Sequence, residues 1–163
     1  PYDMSPAPSV KHQDISMNVS IIIGSFLKTR SCKIFSAPFD VRLIDKKETK
    51  DDTSTVVQPD LSVICDTSKL DTKGCIGAPD IIIEILSKTT AFKDETEKLK
   101  LYEKHGVREY WIINPEAEYV MIYHHNGNNY DKPDYYKNED VIACKTLSGL
   151  TVDLKEVFTA KQQ

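Results

Sequence analysis

Only four of the 163 residues are cysteine, at positions 32, 65, 75 and 144, and no two of them form a C-x-x-C pair. No pair of histidines stands near them at zinc-binding spacing, so a zinc-ribbon reading fails. In a chain of this length a disulfide framework is not expected either. Cys32 and Cys144 read as small apolar residues, and a reduced, cytoplasmic setting is the default expectation. Long hydrophobic runs are missing too. Stretches such as Ile21-Ile22-Ile23 and Ile81-Ile82-Ile83 are far too short to cross a bilayer, and nothing reads as a signal peptide. The absence of G-x-S-x-G, P-loop and G-x-G-x-x-G patterns removes the common hydrolase, nucleotide-phosphate and dinucleotide signatures. Nor is there an excess of positive charge: 21 basic against 25 acidic side chains leave a net charge of −4. That balance argues against a histone-like or polybasic nucleic-acid binder. It leaves room for an enzyme whose phosphate contacts are few, local and assisted by a metal ion.

What remains is an ordinary globular composition, 40% hydrophobic and 28% charged, expected to fold as a single domain over residues 1–163. The proline-rich start, Pro1 to Pro8, reads as extended, and a beginning on Pro-Tyr without Met reads as a trimmed N-terminus. Ser9 is a candidate N-cap for a helix ending near Lys28–Arg30, with Ile15, Val19, Ile22 and Phe26 on one face. Alternation in Phe39–Leu43 predicts a half-buried strand, Asp45 to Thr55 an exposed loop, and Val56 to Ile64 a second strand interrupted by Pro59. Ile81–Leu86 is apolar on both faces, as a central strand is. A helix over Lys93–His105 closes at Gly106, and an interior strand Glu109–Ile113 stops at Asn114-Pro115. Hairpins flank Asn126-Gly127, followed by a strand within Val141–Thr146 and a short helix over Leu154–Phe158. This order predicts a mixed α/β (α+β) domain.

Glu84 is out of place in Ile81-Ile82-Ile83-Glu84-Ile85-Leu86. An ionised carboxylate between two buried faces costs several kcal/mol unless it is neutralised, paired or bound to a metal. A buried ion pair with a lysine or arginine is one answer. Asp60, after Pro59 and inside the second strand pattern, offers another. Two acids on neighbouring strands repel unless a cation lies between them, and Mg²⁺ prefers such oxygens. Asp94, Lys98 and Tyr102, spaced by four, share a helix face, so Lys98 either reaches those carboxylates or pairs with Asp94 on the surface. His12 is a lone histidine, on the surface or a ligand. His105 suits a helix C-terminus, adjacent His124 and His125 point to opposite strand faces, and Trp111 reads as core.

Taken in order, these segments resemble the Uma-type restriction-endonuclease family, a branch of the PD-(D/E)XK nuclease superfamily. The resemblance runs through Ser5–Ser9 with His12, Ala37–Leu43, Gln58–Val63, Gly77–Ser87, Lys98 with Tyr102, and Gly106–Pro115. It implies a restriction-endonuclease-like core, a mixed central sheet flanked by helices, here with additional C-terminal β-hairpins. It also implies that Asp60 is the aspartate of the PD motif and Glu84 the acid of the (D/E)XK motif. With the backbone carbonyl of Ile85, these would hold Mg²⁺, with Mn²⁺ as a substitute, for phosphodiester hydrolysis in DNA. Leu86 stands where the motif lysine normally lies. The resemblance implies a lysine moved to the following helix, Lys98, with Lys88 as the rival. His12 or Asp14 would occupy the place of the superfamily's first-helix acid, His12 being the further candidate ligand. A homodimer would suit cutting two strands.

Overall fold

The computed structural model describes residues 7–45, 55–89 and 92–159. In chain order the elements are α1 (Val10–Leu27), β1 (Lys33–Ser36), β2 (Asp40–Leu43), β3 (Thr55–Val57), β4 (Leu61–Ile64), β5 (Leu70–Asp71), β6 (Gly74–Ile76) and β7 (Ile81–Ile85). They continue with α2 (Phe92–Lys104), β8 (Glu109–Asn114), β9 (Tyr119–His124), β10 (Asp134–Lys137), β11 (Val141–Ala143), β12 (Thr151–Asp153) and α3 (Leu154–Val157). Ser9 caps α1 as expected, its side-chain oxygen accepting from the His12 backbone N–H at 3.1 Å. The buried stripe is Ile15, Val19, Ile23 and Leu27, a run of fours, so Ile22 and Phe26 lie beside it and are only partly buried.

Six strands make the main sheet, in the order β1-β4-β7-β8-β9-β10. All neighbours are antiparallel except β7 and β8, which run parallel and are joined through α2. Alternation along β7 sends Ile81, Ile83 and Ile85 to one face, where they pack with α1, the β11–β12 pair and α3. Ile82 goes to the other face, against Tyr102 of α2 and against Val41, Leu43 and Cys75 of a second sheet. Glu84 shares parity with Ile82 and therefore faces α2. A carboxylate at this position is enclosed by the same packing that buries the isoleucines around it.

The second sheet, ordered β3-β2-β6-β5, was not expected. It arises from the turn-rich stretch before Ile81, whose strands are only two and three residues long: β5 pairs with β6, and β6 with the distant β2. Gly74 makes that pairing possible: its φ is 140°, and a Cβ there would lie 2.2 Å from the Asp40 carbonyl oxygen.

Two expectations need correcting. The predicted strand from Val56 to Ile64 is two strands in different sheets, β3 and β4, and Gln58-Pro59-Asp60 carries the chain between them. Pro59 has no N–H to contribute to a ladder, so Asp60 lies on the bend before β4, not within a strand. Cys32 and Cys65, expected to be free, are joined in a disulfide with Cα atoms 4.0 Å apart. The β1–β4 register explains this. Lys33 pairs with Ile64, which sets Cys32 opposite Cys65 across 33 positions of sequence. Cys75 and Cys144 are free and buried. Most of the predicted exposed loop (46–54), and most of the proline-rich start (1–6), lie outside the described residues.

Candidate active site

Asp60 is held by the place where the chain changes sheets. Its backbone oxygen accepts from the Ala37 N–H at 3.0 Å, which ties the β1–β2 loop to the start of β4. Its side chain then reaches β7, Oδ2 accepting from the Ile85 N–H at 2.7 Å. The Pro-Asp residue is thus fastened to the peptide that follows Glu84. Oδ1 faces His12, whose Nε2 stands 3.4 Å away.

His12 belongs to the first turn of α1 and is 8% exposed. The hydrogen bond with Asp60 raises its pKa above the ordinary value. Burial opposes that rise, while Asp60's charge, the Ile85 backbone and Glu84's charge add to it. Its Nδ1 is buried with no hydrogen-bond partner among the described residues. Asp14, the alternative on this helix, is exposed.

Glu84 is 7% exposed, and both its oxygens meet donors on α2. The Tyr102 hydroxyl donates to Oε1 at 2.9 Å, and Lys98 Nζ lies 3.5 Å from Oε2. Burial pushes its pKa up to about 7. Lys98 pulls it down, Asp60's charge pushes it further up, and the Tyr102 hydrogen bond lowers it. Burial works against the Lys98 ammonium as well, but Glu84 and then Asp94 outweigh it and leave its pKa raised. Tyr102 is fully buried. Burial and then the charge of Glu84 raise its pKa, so it remains a donor.

Lys98 lies 3.5 Å from Glu84 and 3.7 Å from Asp94, so it meets one of the two expected carboxylates and its helix neighbour together. Lys88, the rival, is exposed on the turn after β7. The buried ion-pair reading of Glu84 also describes this arrangement. Lys98 is one-third exposed, so the pair borders solvent and is not sealed in the core.

Beside Asp60 opens a cavity of about 500 Å³, lined among others by His12, Gln13, Ser16, Pro38 and Gln58. Among the described residues, no three His, Cys, Asp or Glu side chains form a ready-made metal cage. The oxygen donors here are two carboxylates and the Ile85 carbonyl. Such a set leaves room for the several waters that Mg²⁺ keeps when it binds to proteins.

Sequence reasoning missed a second buried carboxylate. Glu109, 1% exposed, opens β8 and accepts from Trp111 Nε1 at 2.8 Å and from the Thr146 N–H at 2.6 Å, with the Cys144 thiol 3.5 Å away. Its Oε1 lies 3.9 Å from His124 Nδ1. Each contact is structural: Glu109 fastens the segment after β11 to the main sheet. The signal was an acid starting an apolar strand with a tryptophan two residues on, on the same face. Cys144 is accordingly more than a small apolar residue, and burial pushes its thiol up to about 12.

The chain is similar to known proteins over nearly its whole length. The family model described as Uma2, putative restriction endonuclease, matches residues 1–155. The uncharacterized protein slr1290 of Synechocystis sp. is 24% identical over 151 residues, covering 92% of this chain and 75% of that protein. Among solved structures, that of a putative nuclease belonging to DUF820 from Anabaena variabilis superposes with a TM-score of 0.74 at 22% identity. That match covers 95% of this chain and 84% of the other. At such identity the superposition shows a shared fold.

Proposed function

The chain belongs to the Uma2 family of restriction-endonuclease-like proteins, and from that premise we propose that it is a Mg²⁺-dependent endonuclease hydrolysing phosphodiester bonds in DNA. The observation that supports this reading is the approach of three elements to the end of β7. The bend before β4 brings Asp60 to the Ile85 N–H, Glu84 stands next to last in β7, and α2 brings Lys98 to within 3.5 Å of Glu84.

Asp60, Glu84 and the Ile85 carbonyl are the groups that would hold the cation, with His12 as a further ligand. A bound divalent ion supplies a Lewis acid that lowers the pKa of water and balances charge on the reacting phosphate. The chain's own contributions are distinct. Tyr102 holds Glu84 Oε1 and so fixes the carboxylate's orientation, acting as a positioning residue. Lys98, at the solvent-facing side of Glu84, hydrogen-bonds and orients the attacking water, as the motif lysine does elsewhere in the superfamily. Its ammonium also adds positive charge where the phosphate must approach a net-negative protein. Mn²⁺ is expected to substitute for Mg²⁺. A homodimer would present two such sites, one for each strand of a duplex.

A second reading, a nuclease-fold module that binds nucleic acid or protein without cutting it, draws support from Leu86, which stands where the motif lysine normally lies. Plasmid DNA incubated with Mg²⁺ or Mn²⁺ separates the two. Nicking or linearisation by the wild type, lost in Asp60→Asn, Glu84→Gln and Lys98→Ala, supports the enzyme. Cleavage that survives all three substitutions refutes the assignment. Metal binding without cleavage of any DNA form supports the module.

A further inference from the structure

We propose that a second pocket, across Pro38 and Gln58 from Asp60, is a nucleobase subsite. It receives one unstacked base of the DNA strand next to the phosphate being cut. This rests on the nuclease reading and adds to it a determinant of which sequence is cut.

The pocket is about 480 Å³ and open to solvent, within the size range of small-ligand sites. Its apolar part is Phe35, Phe39 and Leu70. The two rings lie parallel, with centroids 4.4 Å apart and planes 5° from each other. An aromatic pair at the wall of an open pocket suits a flat, polarizable guest, and stacking on such side chains is how proteins hold bases that have left the helix. Its polar part is Gln58, Asp40 and Lys73. Gln58 Nε2 donates to Asp40 Oδ1 at 2.7 Å, which holds the amide in one orientation. A glutamine amide has two N–H groups and an oxygen, and one N–H suffices for Asp40. The rest suits a base edge that offers donor and acceptor side by side, as adenine does. Asp71, which also lines the pocket, pairs with Arg42 and accepts from the Lys73 and Gly74 N–H groups. Its charge is therefore balanced within the fold, and Lys73 at the rim suits the phosphate of the incoming nucleotide.

Position selects a base of the substrate over a free ligand or a peptide. Pro38 and Gln58 line both this pocket and the cavity at Asp60. Gln58 precedes Asp60 by two residues, so their backbones are at most about 7 Å apart, roughly the span of one nucleotide. The Ala37–Asp60 backbone hydrogen bond fixes the loop that separates the two hollows. A strand with its phosphate at Asp60 and Glu84 therefore has its neighbouring base within reach of Phe39 and Gln58.

The test uses oligonucleotides carrying 2-aminopurine or an abasic site at each position flanking the cleaved phosphate. Fluorescence is read with Ca²⁺ present and cleavage with Mn²⁺. One flanking position should show a 2-aminopurine fluorescence change on binding. An abasic site at that position should lower kcat/KM about tenfold or more. Phe39→Leu should give a similar loss that does not add to the abasic loss, and Gln58→Ala should change the base preferred at that position alone. Phe39 packs against the second core, so melting curves accompany both variants. If Phe39→Leu is poorly folded, the exposed Gln58 decides. Cleavage indifferent to every flanking base overturns the subsite and leaves the nuclease reading standing. A positional fluorescence response without cleavage removes the nuclease reading and, with it, the placing of this base beside a cut phosphate. Neither response overturns both.

Discussion

Replacing Glu84 with glutamine removes one charge from near the end of β7 and keeps the size and the acceptor oxygen. In the metal-free protein the folded carboxyl has its pKa pushed from 4.5 up to about 7, chiefly by burial. The unfolded chain releases this proton near 4.5, whereas the folded chain holds it until about 7. Between those values the native state binds the extra proton, so stability falls as pH rises through the window. Above pH 7 the accumulated penalty is at most about 3 kcal/mol, and below pH 4.5 it vanishes. Glutamine carries no such penalty. Its oxygen still accepts from the Tyr102 hydroxyl, and Lys98 keeps Asp94 at 3.7 Å.

Glu84→Gln is therefore expected to raise metal-free stability by about 1–3 kcal/mol at pH 8 and to change it little at pH 5. For a chain of this size each kcal/mol is worth about 2–4 °C in melting temperature. Urea unfolding in EDTA at a series of pH values measures this. Adding Mn²⁺ should then stabilise the wild type and leave the variant unmoved. A loss of more than about 1 kcal/mol at pH 8 in EDTA would show that the Lys98–Glu84 pair is a net structural asset. It would refute the reasoning that this carboxylate is kept at a cost to folding.

Other expectations follow from the same contacts. Tyr102→Phe removes the donor to Glu84 Oε1 and should cost about 1–3 kcal/mol at pH 8, read by urea unfolding, while weakening Mn²⁺ binding in a titration. Glu109→Ala strands the Trp111 and Thr146 N–H groups. It should lower stability by about 2–4 kcal/mol with Mn²⁺ affinity unchanged, which separates the structural carboxylate from the one at the site. Reducing the Cys32–Cys65 disulfide reopens a loop closed across 33 positions and should lower the unfolding free energy by about 3–4 kcal/mol, measured with and without reductant.

Glu84 and the Asp94–Lys98–Tyr102 face of α2 were legible because each follows from a local pattern, whereas on α1 only Ile15 and Val19 of the expected face belong to the buried stripe. A charge in a run of isoleucines stands out, and a four-residue spacing identifies a helix face wherever the helix packs. Asp60 was legible as a residue but not as a position. The apolar pattern runs on through Pro59, and only the pairing partners show that β3 and β4 lie in different sheets. Long-range pairing hid the rest. The β2–β6 contact and the meeting of Cys32 with Cys65 depend on registers between distant segments, which no periodicity encodes. His12 carries no local signal of its own. It comes to Asp60 because α1 packs its Ile15–Leu27 stripe across β7, which places its first turn beside the Asp60–Ile85 contact. Glu109 was overlooked because it precedes the apolar run, although its indole partner lies only two residues away.

Anomalous scattering from crystals grown with Mn²⁺ tests the central claim most directly. The account predicts a peak coordinated by Asp60, Glu84 and the Ile85 carbonyl, with Lys98 still adjacent. Saturating Mn²⁺ with no peak there, and Glu84 still held by Lys98 and Tyr102, would contradict it.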